Sequence, residues 1–180
     1  MSIFKRIFSI WRSRKEPQPS PASIVPTLES VNVGDIVTVD LEEYLVTGKV
    51  AYSDHGYAPH RFAYYLQSGQ EIRCLLVEKG RTYDCFICTF MEGGLDDPND
   101  VPTTLVVDGE KTFTLENEQT DRTTTFGNTD FRTGDELKIW RYFTNEVEHL
   151  FLQWQSGKFV AMNGMRVPSG EVKIMKSKQQ

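Results

Sequence analysis

The hydrophobic and polar positions from Thr27 onward alternate with a period of two, interrupted by glycine-containing turns. Such alternation is typical of β-strands that bury one face. Ten segments rich in valine, isoleucine, tyrosine and phenylalanine are predicted strands: Val31–Val39, Tyr44–Tyr52, Phe62–Gln67, Glu71–Glu78, Tyr83–Phe90, Thr112–Glu116, Leu137–Phe143, Glu148–Gln155, Lys158–Met162 and Glu171–Met175. We therefore expect a mainly β fold, an antiparallel barrel or sandwich of about ten strands.

Glycine-containing dipeptides separate several of these segments and predict tight turns. Ser68-Gly69, Asp108-Gly109 and Ser156-Gly157 are expected as two-residue hairpin turns, with Thr144-Asn145-Glu146 as a looser turn. Two sequences also recur, Gly-Asp at 34–35 and 134–135 and Gln-Ser-Gly at 67–69 and 155–157, but their spacings of 100 and 88 residues disagree. The recurrence leaves two interpretations open: two similar β-meanders, or repeated use of the same turn residues.

The first fifteen residues follow a helical period instead of a strand period. On a helical wheel the apolar side chains fall in one arc of roughly 160°; they are Ile3, Phe4, Ile7, Phe8, Ile10 and Trp11. Lys5, Arg6 and Arg12 share the rest of the wheel with serines. Residues 1–15 are therefore predicted to form a short amphipathic basic helix, in which the regular pattern covers residues 2–13.

The composition of this helix is typical of one that lies in the plane of a membrane interface. Its apolar runs do not exceed two residues, whereas a signal peptide needs roughly 7–15 consecutive apolar residues and a spanning helix needs ~20. We expect residues 1–15 to bind an anionic membrane surface reversibly. Three alternatives stay open: the apolar face packs on the protein's own body, it packs on a protein partner or sister subunit, or the segment is disordered.

A proline-rich segment follows the helix. Four of the eight prolines of the chain fall within residues 16–26, which excludes a helix or an inner strand there. Residues 16–27 are expected to form an extended linker of roughly 30 Å, or else a loop laid over the surface of the body. The rest of the chain has the length of one ordinary domain, so residues 28–176 are predicted to be a single β-rich domain, followed by a polar tail at 177–180.

Charge divides the chain at residue 15. Residues 1–15 carry five basic and no acidic side chains, whereas residues 16–180 carry 15 basic and 25 acidic side chains. The body therefore has a formal charge of −10, which repels phosphate groups. Nucleic acid is accordingly not an expected partner.

Three cysteines, Cys74, Cys85 and Cys88, in a chain without an export signal indicate a reducing cytoplasm. Cys85 and Cys88 have the spacing of a zinc or redox pair. Residues three apart on a strand face opposite sides of a sheet, however, so both sulfurs would not readily bind one ion. We interpret the cysteines as buried core thiols.

His149, on a predicted strand, is one of three histidines that could be catalytic; two predicted loops contain the remaining candidate residues. These are His55 and His60 in the first loop, and Asp96, Asp97 and Asp100 in the acidic loop 91–102; we call the five together the candidate ligand loop. The acidic loop lacks the alternating oxygen-ligand spacing of a calcium site, so no metal is predicted. No nucleophile, phosphate-binding or dinucleotide motif accompanies these residues, and no catalytic residue or cofactor is predicted.

Eight short segments follow one another along the body: Val33-Gly34-Asp35, Tyr44–Gly48, Tyr64-Tyr65-Leu66, Leu75–Glu78, Phe113–Glu116, Ile139–Tyr142, Gly164–Val167 and Val172-Lys173-Ile174. In this order they resemble the bacterial family catalogued as domain of unknown function 4178, over roughly Leu28 to Met175. The resemblance implies a cytoplasmic β-domain without an established activity, associated with genes for envelope stress, phage-shock-type membrane proteins and polyamine enzymes. It implies no catalytic residue set.

These observations lead to one hypothesis and one alternative. We expect a non-enzymatic bacterial accessory or adaptor protein, attached peripherally to the inner face of the membrane through residues 1–15 and linked to envelope stress. The alternative is a small-molecule-binding β-barrel or a small enzyme with the candidate ligand loop at its mouth. An enclosed polar cavity there would favour the alternative, whereas an interior filled by phenylalanine, leucine and valine would count against it.

Overall fold

The structure is a computed structural model that describes residues 25–93 and 95–178. The amphipathic helix predicted at 1–15, with all of its membrane-binding candidates, and the linker up to residue 24 lie outside the described residues. Within the described part of the chain, no helix has the length and apolar character needed to cross a membrane.

Eleven β-strands and three short 3₁₀ helices make up the described residues. The strands are β1 (Ile36–Val39), β2 (Glu42–Ser53), β3 (Arg61–Ser68), β4 (Glu71–Lys79), β5 (Tyr83–Met91), β6 (Thr104–Val107), β7 (Lys111–Gly127), β8 (Glu136–Phe143), β9 (Glu148–Gln155), β10 (Lys158–Val167) and β11 (Lys173–Met175). The 3₁₀ helices are Leu28–Ser30, Pro98–Asp100 and Ser169–Glu171. The predicted mainly β character is confirmed.

All eleven strands belong to one antiparallel sheet with the order β11-β1-β2-β3-β4-β5-β10-β9-β8-β7-β6. β2 also pairs with β7, from Gly48 opposite Gly127 to Ser53 opposite Arg122. This second pairing of β2 links the two halves of the sheet. The strands β2, β3, β4, β5, β10, β9, β8 and β7 therefore form a closed ring of backbone pairing, from which β1, β11 and β6 extend.

The ring consists of two four-stranded meanders, β2 to β5 and β7 to β10, each preceded by a hairpin partner, β1 or β6. The first strands of the meanders pair with each other, and so do the last strands. The topology thus supports the two-meander interpretation. The recurrent dipeptides occupy non-equivalent places, however, because Gly34-Asp35 precedes β1 whereas Gly134-Asp135 precedes β8.

Three hydrophobic clusters stabilise the sheet. The interior of the ring is filled by Tyr52, Tyr65, Phe86, Phe131, Phe151 and smaller apolar side chains. Leu28, Val31 and β1 cover the outer face of the first meander. β6 and the loop before it pack on the outer face of the second meander, around Trp140 and Tyr142. Burial on both faces explains why β3 has six consecutive buried residues instead of an alternating pattern.

Several boundaries differ from the expected ones. The alternation predicts neither β6 nor the length of β7, which spans 17 residues although only Thr112–Glu116 reads as a strand. The second half of β7 is polar, and backbone pairing stabilises it, with β8 as far as Arg122 and with β2 from Arg122 to Gly127. The turn after β3 consists of Gly69 and Gln70, and the loop after β6 has three residues, 108–110.

Candidate functional site at the polar end of the ring

Charged side chains from seven strands of the ring meet at one of its ends. They are Arg61 on β3, Glu78 on β4, Asp84 on β5, Glu116 and Asp121 on β7, Arg141 on β8, His149 on β9 and Arg166 on β10; with His60, which precedes β3, we call this set the polar end. Strand pairing brings them together, because Arg61 lies opposite Glu78, and Arg166 lies opposite Phe86 two residues from Asp84.

Glu78 bridges the two least exposed arginines of the polar end. Its Oε1 accepts a hydrogen bond from Arg61 Nε at 3.0 Å, and its Oε2 accepts one from Arg141 Nη1 at 2.6 Å. Arg141 Nε lies 2.8 Å from Glu116 Oε2 but not in hydrogen-bonding geometry, so this contact is an ion pair whose N–H points elsewhere. The two arginines therefore retain donors that protein acceptors do not fully satisfy.

Asp121 organises the other side of the polar end. Its buried carboxylate accepts a hydrogen bond from Gln119 Nε2 at 2.7 Å and lies 3.3 Å from His60 Nε2. Arg61 Nη1 is 3.7 Å away, beyond hydrogen-bonding distance. His60 Nε2 also lies 3.3 Å from Gln119 Nε2, so the part-exposed imidazole contacts both Gln119 and Asp121.

His149 is the most deeply buried imidazole of this end, with 3% of its surface exposed. Its ring lies 4.9 Å from the ring of Phe86 in an edge contact. Burial lowers the pKa of His149 and the nearby Arg141 lowers it further, which favours the neutral ring. Its Nδ1 is buried and makes no hydrogen bond of good geometry among the described residues, although the nearby Val147 backbone opposes the lowering of the His149 pKa.

An open cleft of about 400 Å³ lies beside His149. Arg141, Arg166, Glu116 and Asn145 contribute to its lining. The guanidinium groups of Arg141 and Arg166 lie 5.4 and 5.3 Å from the centre of the Phe86 ring. Arg166 is half-exposed, and its Nη1 lies 3.1 Å from Asp84 Oδ1. Two cationic groups and a neutral imidazole therefore border one opening at the polar end, together with the carboxylates of Glu116 and Glu146.

Residues 32–169 match a family model described as Domain of unknown function (DUF4178). The chain belongs to the DUF4178 family. The match covers β1 to β10 and with them the whole polar end of this DUF4178 domain. No curated protein and no solved structure matches the chain.

The five residues of the candidate ligand loop do not come together in the DUF4178 domain. His60 belongs to the polar end, whereas His55 is exposed in the loop between β2 and β3. Asp96, Asp97 and Asp100 are exposed on the loop that packs against the second meander, where Asp97 caps a 3₁₀ helix through the Asn99 N–H. Within residues 25–93 and 95–178, no hydrogen bond or ion pair joins these aspartates to either histidine.

The cysteines of the DUF4178 domain are free and buried. Cys85 faces the outer cluster of the first meander, whereas Cys74 and Cys88 face the ring interior, as the strand geometry predicts. Burial raises the pKa of Cys74 to about 12 and that of Cys85 to about 11, so neither is a thiolate at neutral pH. Among the described residues, no group of three His, Cys, Asp or Glu side chains is arranged to hold a metal ion.

Most of the polar end was not apparent as a site in the sequence. One signal does identify part of it: a charged residue at an inward position of an otherwise apolar strand. Arg141 in Ile139-Trp140-Arg141-Tyr142 is the clearest example, because its neighbours in register face the ring interior. Glu78 follows the same rule at the end of β4.

Proposed function

We propose that this DUF4178 protein is a non-enzymatic bacterial accessory or adaptor protein, held at the inner face of the membrane by residues 1–15 and acting in envelope stress. The observation that carries the proposal is the separation of an amphipathic basic segment from an acidic body at residue 15. The filled ring interior adds support, because it favours binding through outer surfaces over catalysis in an enclosed cavity.

The charges of the two parts favour this arrangement. Each Lys or Arg near an anionic leaflet contributes on the order of 1 kcal/mol, and six half-inserted apolar side chains add several kcal/mol, offset by the cost of ordering the helix. The same leaflet repels a body of charge −10. The extended linker of roughly 30 Å that the prolines predict would hold the body beyond the Debye length of about 8 Å, where this repulsion is screened.

Co-sedimentation with vesicles that contain anionic lipid tests the proposal. The full chain should pellet with the vesicles at low salt and less at high salt, whereas a chain that begins at Pro26 should stay in the supernatant. That shorter chain keeps Leu28 and Val31, which belong to the core. Equal pelleting of the two proteins would contradict membrane attachment.

A matched pair of substitutions separates the apolar face of the segment from general surface effects. Phe4→Glu with Trp11→Glu should abolish pelleting. Leu41→Glu, at a body residue that is 95% exposed, should leave it unchanged. If the segment instead joins subunits, light scattering will show an assembly without lipid that the Phe4 and Trp11 substitutions dissociate, and the membrane proposal fails.

A further inference from the structure

We propose that the cleft beside His149 binds a small carboxylic acid in its ionised form, and that the side chain of Glu116 competes with this ligand by pairing with Arg141. This inference is independent of membrane attachment, because it rests on residues of the β-domain alone.

Two buried nitrogen atoms of the cleft lack a hydrogen-bond partner of good geometry among the described residues. They are Arg141 Nε and His149 Nδ1. Most buried polar atoms in proteins have a hydrogen-bond partner, and a buried polar atom without one destabilises the fold. Because both residues line one cleft, we expect a bound ligand to supply the missing hydrogen-bond partners.

The two guanidinium groups of the cleft indicate the class of ligand. Arg166 is half-exposed and its one ion pair, to Asp84, lies at the rim of the ring. A guanidinium group presents a planar set of N–H donors that matches a carboxylate in geometry. The neutral imidazole of His149 can donate from Nδ1 in one of its tautomers. Arg141, Arg166 and His149 all line the cleft, and their donors suit a planar anion with two oxygens.

Glu116 is the carboxylate of the protein itself that pairs with Arg141 in the cleft. Its side chain is 43% exposed, so little packing holds it. It lies 2.8 Å from Arg141 Nε in an ion pair without hydrogen-bonding geometry. When this side chain rotates into solvent, Arg141 loses its ion pair with Glu116 but keeps the hydrogen bond from Nη1 to Glu78. The carboxylate of a ligand can then pair with Arg141 instead of Glu116, without a change in charge at this position.

The imidazole resonances of the full chain provide a direct readout, because the protein has only three histidines. We would titrate the protein with acetate and malonate, and with acetamide and malonamide as uncharged analogues, at constant ionic strength. The carboxylates should shift the His149 resonances saturably and leave those of His55 unchanged, and the amides should have no effect. Equal shifts with sulfate or chloride, or equal shifts with the amides, would overturn the proposal.

Substitutions make the test specific to the cleft. Arg166→Gln, at a half-exposed position, should weaken carboxylate binding at least about tenfold, because it removes a charge-assisted hydrogen bond. Arg73→Gln is the matched control, since Arg73 pairs with Glu71 on β4 away from the polar end. Glu116→Gln should strengthen binding by removing the competing carboxylate. Unchanged affinity in Arg166→Gln, or weaker binding in Glu116→Gln, would contradict the assignment.

Discussion

At the scale of single residues, Asp35 shows how one buried charge joins the two ends of the domain. It precedes β1, and its carboxylate accepts hydrogen bonds from Lys176 Nζ at 2.8 Å, Ser177 N at 2.9 Å and Asn32 N at 2.8 Å. Burial raises the pKa of Asp35, but these hydrogen bonds outweigh burial, and its pKa lies below the ordinary 3.8. The residues beyond β11 are therefore attached to the start of the sheet by an ionised side chain.

Asp35→Asn should lower the free energy of unfolding by about 1–3 kcal/mol at pH 7, because the buried charge-assisted hydrogen bonds are lost. The pKa is lower in the folded than in the unfolded state, so the stabilisation is complete above the unfolded value. It is lost as the pH falls through the lowered folded value. Urea unfolding from pH 7 to pH 3 should show the difference between the two proteins narrowing below about pH 4.

Asp40→Asn is the control for this prediction. Asp40 is exposed in the turn between β1 and β2, where its positive φ of 51° suits asparagine as well as aspartate. Its unfolding curve should follow that of the wild-type protein. A pH-independent difference between wild type and Asp35→Asn would show that the charge of Asp35 contributes nothing.

At the scale of elements, the β9–β10 hairpin shows a turn whose geometry the sequence specifies. Gln155 pairs with Lys158, so Ser156 and Gly157 form a two-residue turn. Both have positive φ, 50° and 88°, which is the pattern of a type I′ turn. Glycine suits this conformation, whereas serine is strained in it. The prediction of a Ser156-Gly157 hairpin is confirmed, and the strain at Ser156 suggests an improvement.

Ser156→Asn should stabilise the protein by a few tenths to about 1 kcal/mol, because asparagine adopts the left-handed conformation more readily and is favoured in type I′ turns. Ser156→Val should destabilise it, since a β-branched residue is disfavoured at positive φ. The midpoint of urea unfolding should be highest for Ser156→Asn, intermediate for the wild-type protein and lowest for Ser156→Val. A different order would show that the turn does not limit stability.

At the scale of the whole molecule, closure of the ring depends on a close approach of two strands. Gly48 on β2 lies opposite Gly127 on β7 at the end of their pairing. A Cβ atom at Gly48 would lie 2.0 Å from the Asn128 carbonyl oxygen, a contact that only movement of the backbone can relieve. The absence of a side chain at this position therefore permits β2 to pair with β7.

Gly48→Ala should destabilise the protein by at least about 2–3 kcal/mol, because the added methyl group separates two paired backbones. Hydrogen exchange should become faster at the amides shared by β2 and β7, while β3, β4 and β5 keep most of their protection. Gly170→Ala is the matched control, since no atom lies within 4 Å of the Cβ position there. Equal stability of the two variants would contradict the role of Gly48 in ring closure.

The residue pattern alone predicts the β class, most strand positions and the opposite orientation of Cys85 and Cys88. Each of these follows from a period of two along a strand, which is local. The pattern does not predict the pairing of β2 with β7 and of β5 with β10, or the gathering of Arg61, Arg141 and His149 at one end. Which strands become neighbours depends on contacts between residues far apart in the chain, and such contacts leave no period in the sequence.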